Sequence, residues 1–201
     1  MIAIIDYGMG NIHSVQKAVE SFGVKSKIVN RTEDLQNAGK IILPGVGSFK
    51  DALAELKDLE LINALKLHIK NKKLFLGICL GMQLLFEESE EAVNIEGLGI
   101  LKGKVKRFED KSGLKVPHIG WNGLKITNRN CPLMKGIADN SYVYFCHSYY
   151  PKANAKDVAA TTDYGIEFAS VLWKGNIYGL QFHPEKSQKV GLKILENFVK
   201  L

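Results

Sequence analysis

Short apolar runs, each closed by a glycine-containing turn and followed by helical periodicity, constrain the fold more than any other feature. Ile2-Ala-Ile-Ile5, Lys40-Ile-Ile-Leu43 and Leu74-Phe-Leu-Gly-Ile78 are near-continuous hydrophobic stretches. That is the pattern of strands buried on both faces of a parallel sheet. Residues 11–21 read as a helix with Ile12, Val15, Val19 and Phe22 on one face, stopped by Gly23. Val24 to Val29 alternates like a strand, and Thr32 is placed to cap a short helix. Amphipathic pattern runs from Phe49 to Asn71 in two pieces and resumes from Leu80 to Glu88. This alternation predicts an α/β fold, a mostly parallel central sheet with helices on both faces.

From about residue 98 the texture changes to short β-like pieces: 100–108, 116–119, 124–127, 142–145, 158–161, 168–173 and 177–180. These predict antiparallel strands added to the sheet. Ser187 is placed to cap a last helix whose apolar face is Val190, Ile194, Leu195 and Phe198. No repeat, low-complexity stretch or linker divides the chain, so residues 1–201 are expected to form one domain.

Hydrophobic residues make up 46% of the 201 and charged residues 24%, values that fit a globular protein with a real core. The longest apolar run, Leu74 to Phe86, is broken by two glycines and Gln83, so no membrane span is expected. The start, Met1 to Asp6, has no basic leader, and the three cysteines, Cys79, Cys131 and Cys146, show no CxxC spacing. A cytoplasmic, reduced protein is the expectation. The formal charge of +6 comes almost wholly from scattered lysines, with arginine only at 31, 107 and 129. Nucleic-acid readers favour the arginine fork, so a solvated lysine surface is the better reading.

The chemistry centres on Gly77-Ile-Cys79-Leu-Gly81-Met-Gln83. A buried strand meets a cysteine flanked by glycines, and a helix begins at once. Small residues there allow a sharp strand-to-helix turn that presents the central side chain, a nucleophile elbow with sulfur in place of oxygen. The helix start behind Cys79 favours a thiolate and leaves a free amide for an oxyanion. Such a nucleophile needs a base and an orienting group. His183-Pro184-Glu185 supplies both: residues two apart in an extended segment point the same way, and Pro184 stiffens the pair. Pro44-Gly-Val-Gly47 lies between a strand and a helix on the same expected sheet edge, with backbone N–H groups to aim at the attacked carbonyl. It lacks the lysine-serine ending of a phosphate loop. Asp6-Tyr-Gly-Met-Gly10 likewise lacks the third glycine of a dinucleotide fingerprint, His13 standing in its place. No paired cysteines, HExxH or acidic cluster suggests a metal, and no cofactor is expected.

The cysteine elbow with His183-Pro-Glu185 downstream resembles the triad-type, class I glutamine amidotransferase family. Within it, Asp6–Asn11, Pro44–Phe49, Pro117-His-Ile-Gly-Trp-Asn122 and His183–Ser187 resemble the glutaminase subunits of imidazole glycerol phosphate synthases. The resemblance implies a flavodoxin-like sheet and hydrolysis of L-glutamine to glutamate and ammonia. It implies Cys79 as nucleophile, His183 as base, Glu185 as orienter, and an oxyanion hole from the backbone of Leu80 and Val46–Gly47. It also implies that Gln83, Glu91 and the backbone of Ser148 and Tyr149 bind the amino-acid end of glutamine. The stretch Phe145-Cys-His147-Ser-Tyr149 fits the family's substrate strand, with Cys146 in place of a more usual apolar residue. The implied partner is a cyclase subunit, a (β/α)₈ barrel forming a heterodimer, with Asn11, Trp121, Asn122 and Tyr144 in motifs expected at that interface. Trp121 equally suits a core position, Glu91 an exposed acidic run, and His118 a role in local structure.

Two other readings stand beside this one. A paralogous glutaminase serving a sugar-amidating enzyme of surface-glycan synthesis would carry the same triad. A redox sensor or chaperone-like protein with a cysteine elbow would need neither the His183–Glu185 pair nor Gln83.

Overall fold

The computed structural model describes residues 1–109 and 114–201. Its first half runs β1 (Ile2–Ile5), α1 (Ile12–Glu20), β2 (Ser26–Val29), α2 (Thr32–Gln36), β3 (Lys40–Gly45), α3 (Phe49–Asp58), α4 (Leu61–Lys70), β4 (Leu74–Cys79) and α5 (Leu80–Gln83). Then follow β5 (Glu88–Ser89), β6 (Gly103–Arg107), β7 (His118–Ile126), β8 (Ser141–His147), β9 (Tyr149–Ala153), β10 (Val158–Asp163), β11 (Glu167–Lys174), β12 (Ile177–Leu180) and α6 (Gln188–Val199). The main sheet has strand order β2-β1-β3-β4-β12-β11-β10-β7-β8. Its half from β2 to β12 is parallel. The half from β12 to β8 is antiparallel. The mostly parallel core with antiparallel additions expected from the sequence is therefore present, and β5-β6-β9 form a small second sheet.

Alternate residues of β1 serve opposite faces, as strand geometry requires. Ile2 and Ile4 pack with Val15 and Val19 of α1 and Ile194, Leu195 and Phe198 of α6. Ala3 and Ile5 pack on the other side with Leu35 of α2, Phe49 and Leu53 of α3 and Leu61 and Leu65 of α4. Helices cover both faces, and the strand ends are left to build a site.

Several local expectations differ from the structure. The helix after Cys79 ends at Gln83 rather than Glu88. Leu84, Leu85 and Phe86 instead give their carbonyls to the amides of Leu98, Ile100, Leu101 and Gly99, so a returning loop takes the acceptors a longer helix would use. The pieces read at 116–119 and 124–127 are one strand, β7. Thr32 lies inside α2, whose N-cap is Arg31. Ser187 sits at the N-cap of α6 without making a side-chain cap. Its hydroxyl donates to the His183 carbonyl at 2.6 Å and accepts from the Tyr144 N–H at 2.9 Å. Among the described residues, no helix is long and apolar enough to cross a membrane.

Candidate active site

The parallel pairing of β3, β4 and β12 brings the chemistry together. Gly45 pairs with Cys79 across β3 and β4, and Ile78 pairs with Leu180 across β4 and β12. The Pro44–Gly47 loop, the thiol and the segment leading to His183 therefore emerge side by side at the carboxyl ends of adjacent strands, where open α/β sheets place their ligands. They surround a cavity of about 270 Å³ lined by Val46, Gly47, Cys79, Leu80, Gln83, Glu91, Ser148, Tyr149 and His183, among others.

Cys79 is held at φ 53°, ψ −109°, a left-handed backbone position that a non-glycine residue adopts only where the surroundings over-determine it. The glycines make this turn possible. A Cβ on Gly77 would meet the Gly81 carbonyl oxygen at 2.5 Å, and one on Gly81 would overlap the Leu43 carbonyl oxygen of β3. The following helix is a single turn, too short for a macrodipole. The expected helix-start effect on the thiol reduces to the local amides of that turn.

His183 is buried between Cys79 and Glu185, with Nδ1 3.0 Å from Glu185 Oε1. The segment is not extended through this pair, as the sequence suggested. Pro184–Lys186 form a 3₁₀ turn, Lys186 N–H donating to the His183 carbonyl at 3.1 Å. The two side chains meet across that turn because Pro184, with its fixed φ and missing N–H, suits the first helical position. Burial works against charge on His183, but the hydrogen bonds and charges of Cys79 and Glu185 outweigh it and lift the imidazole to about 10. Glu185 spends Oε1 on His183, and among the described residues its buried Oε2 has no hydrogen-bond partner. The carboxylate is thus committed to the imidazole. The backbone of His183 is clipped to β8 as well, its N–H donating to the Tyr144 carbonyl at 3.0 Å.

The Pro44–Gly47 loop is fixed from beneath and open above. The Tyr7 hydroxyl donates to the Pro44 carbonyl at 2.9 Å, and burial pushes its pKa far up. Val46 is 42% exposed, and Gly47 stands at φ 98°. Gln83 is buried and donates to the Tyr149 carbonyl at 2.9 Å and to Gln181 Oε1 at 3.2 Å. Gln181 in turn reaches the Cys79 sulfur at 3.8 Å. Gln181 was not singled out from the sequence. The signal was available, because it stands two residues before His183 in an extended run and so shares its face. Glu91 is half-buried rather than part of an exposed run and accepts from the Phe49 N–H at 3.0 Å. Burial pushes its carboxyl up against that hydrogen bond, with Asp51 adding to the rise. A cation placed in the cavity would favour its charged form.

The residues expected at a partner surface lie apart from the thiol. Asn11 is exposed, and Trp121 is 44% exposed with its ring 6.1 Å from that of half-buried Tyr144, so Trp121 is not a core residue. The Asn122 side chain donates to the Asp163 carbonyl at 2.8 Å. His118 is buried against other rings, in keeping with a structural role.

Comparison with known proteins places this geometry. The family model described as glutamine amidotransferase class-I matches residues 3–201. Imidazole glycerol phosphate synthase subunit HisH of Methanocaldococcus jannaschii is 52% identical over 201 residues, covering 100% of both chains. The protein of the same name from Caldanaerobacter subterraneus subsp. tengcongensis is 51% identical over 98% of this chain and 97% of its own. Among solved structures, one titled as a glutamine amidotransferase superposes with a TM-score of 0.77 at 16% identity, covering 100% of each chain. PurLQS from Thermotoga maritima gives 0.77 at 20% identity over 99% of this chain and 97% of that one, a likeness of fold alone.

Proposed function

Since the chain belongs to the class-I glutamine amidotransferase family, we propose that it is the cytoplasmic glutaminase subunit of an imidazole glycerol phosphate synthase, acting as one domain in histidine biosynthesis. The observation that carries this reading is the buried Cys79–His183–Glu185 line at the mouth of a cavity that also holds Gln83 and Glu91. The full-length identity to subunits of that name supports the choice of pathway over a sugar-amidating paralogue.

His183 draws the proton from the Cys79 thiol, and its surroundings favour the imidazolium it becomes. The sulfur attacks the carboxamide carbon of glutamine, and the oxyanion formed is met by backbone N–H groups of Leu80 and the Val46–Gly47 segment. His183 gives its proton to the departing ammonia, leaving a thioester on Cys79. It then takes a proton from water, whose oxygen attacks the thioester carbon and frees glutamate. Gln83, Glu91 and the backbone of Ser148 and Tyr149 hold the amino-acid end. Ammonia protonates in bulk water and loses its nucleophilicity, so the subunit works docked on its acceptor, a cyclase of (β/α)₈ barrel form. The Asn11, Trp121, Asn122 and Tyr144 surface faces it.

Steady-state kinetics test the reading. The isolated chain should hydrolyse glutamine poorly, and adding the cyclase with an acceptor analogue should raise turnover, because the exposed Val46–Gly47 peptides are then aimed at the oxyanion. Equal turnover in every mixture would reject this coupling. A second test separates the roles of base and orienter. His183→Ala should cost on the order of 10³-fold or more in turnover, and Glu185→Gln distinctly less, because the imidazole remains. The opposite order would overturn the assignment.

A further inference from the structure

A buried hydrogen-bonded pair of histidines that the reaction above does not use runs back from the pocket wall, which His147 helps to line. His118 of β7 and His147 of β8 face each other across antiparallel strands in register, with His118 Nδ1 3.0 Å from His147 Nε2. His147 Nδ1 lies 2.8 Å from the Tyr149 carbonyl, and His118 Nε2 lies 3.4 Å from the Asn122 carboxamide nitrogen. Phe108, Phe145, Tyr164 and Phe168 wall the pair.

The partners fix where every proton sits. A carbonyl oxygen only accepts, so His147 must carry its proton on Nδ1. Burial pushes both imidazoles down, His147 to about 3 and His118 to about 4, with His118 and His183 adding to the effect at His147. A neutral His147 then offers a bare Nε2, and His118 must donate to it from its own Nδ1. The remaining His118 Nε2 must accept, and it faces an N–H of Asn122. The Asn122 orientation is set independently, because its Oδ1 accepts from the Gly123 N–H at 2.8 Å and its nitrogen donates to the Asp163 carbonyl. The three side chains therefore donate in one direction, from Asn122 through His118 and His147, and the Tyr149 carbonyl accepts at the end.

That carbonyl is the same atom that Gln83 grips from the pocket side at 2.9 Å. We propose that His118 and His147 are positioning residues of the glutamine pocket. They form a one-way pair of neutral imidazoles, each protonated at Nδ1, that holds the Tyr149 carbonyl and through it the Gln83 carboxamide. The proposal rests on the glutaminase reading of this cavity for what the pocket binds, but its proton arrangement stands on the hydrogen-bond geometry and burial of the two rings. The pair also ties the pocket wall to β7, whose Trp121 and Asn122 belong to the proposed partner surface.

Two measurements on the full chain decide it. Long-range ¹H–¹⁵N correlation with labelled histidine should show both rings as Nδ1–H tautomers, unchanged from about pH 5 to 8. Either ring found as the Nε2–H form, or titrating in that range, overturns the proposal. In partner-activated kinetics, His147→Leu leaves the Tyr149 carbonyl with Gln83 alone. It should raise the KM for glutamine about tenfold while changing kcat less than about threefold. His147→Asn keeps an N–H near the Nδ1 position and should restore KM to within about threefold of the wild type. An unchanged KM in His147→Leu, or no rescue by asparagine in a folded variant, also overturns it. If either variant fails to fold, the wild-type tautomers still decide. A wild-type complex that hydrolyses no glutamine would refute the reading of the pocket and not the proton arrangement.

Discussion

Cys79→Ala is expected to abolish partner-activated glutamine hydrolysis, with turnover falling on the order of 10⁴-fold or more, while the chain stays folded. In the proposed mechanism the sulfur forms the thioester, and its neighbours offer no substitute: Gln181 is a carboxamide, and Cys146 presents its carbonyl, 3.9 Å away. Stability should change little, because the substitution removes one sulfur beside an open cavity and keeps the backbone at φ 53°. The measurements are ammonia release with the partner subunit present and thermal unfolding of both proteins. Hydrolysis persisting in Cys79→Ala would remove the mechanism, and a collapsed melting temperature would make the loss uninformative about chemistry.

Gly81→Ala is expected to damage the protein as much as any single methyl group can. The added Cβ would overlap the Leu43 carbonyl oxygen, which belongs to a central strand paired on both sides and cannot move aside. The helix turn must lift off β3, at a cost of about 3 kcal/mol or more in stability. It would carry Cys79 and the Leu80 amide with it, and a displacement near 1 Å costs about 100-fold in rate. Gly39→Ala is the matched control. Its Cβ would meet only the Met1 carbonyl oxygen at 3.8 Å, so it should be neutral or slightly stabilising. Chemical denaturation of the two variants measures the difference. A Gly81→Ala protein as stable and active as Gly39→Ala would show that the elbow does not depend on a bare Cα at that position.

The parallel half of the sheet was legible because its strands are buried on both faces and therefore read as unbroken apolar runs. Cys79, His183 and the Pro44–Gly47 loop were legible because each lies where such a run ends. The antiparallel half was less so. Gly120, Trp121 and Gly123 interrupt β7, whose partly exposed face breaks the hydrophobic pattern. The Tyr149–Ala153 strand contains Pro151 and, among the described residues, pairs only with β6, so it did not read as a strand. Gln181 and the His118–His147 pair were hidden for another reason. Their meaning depends on which polar atom faces which, and residue spacing carries no record of partners more than 25 residues away.

The pairing of β4 with β12 has one more consequence, which concerns the making of the protein. In the proposed mechanism the thiol is set in the strand ending at Cys79, but its base follows the strand ending at Leu180, the last in sequence among the described residues. A ribosome makes the cysteine and both strands of the β3–β4 pair about a hundred residues before His183. Until the final segment threads in beside β4, the sulfur has no imidazole to charge it and no Glu185 to steady that charge. An unfinished or C-terminally clipped chain would thus carry a cysteine without the machinery to spend glutamine. Competence arrives only once β12 has been made and seated beside β4, at the centre of the sheet.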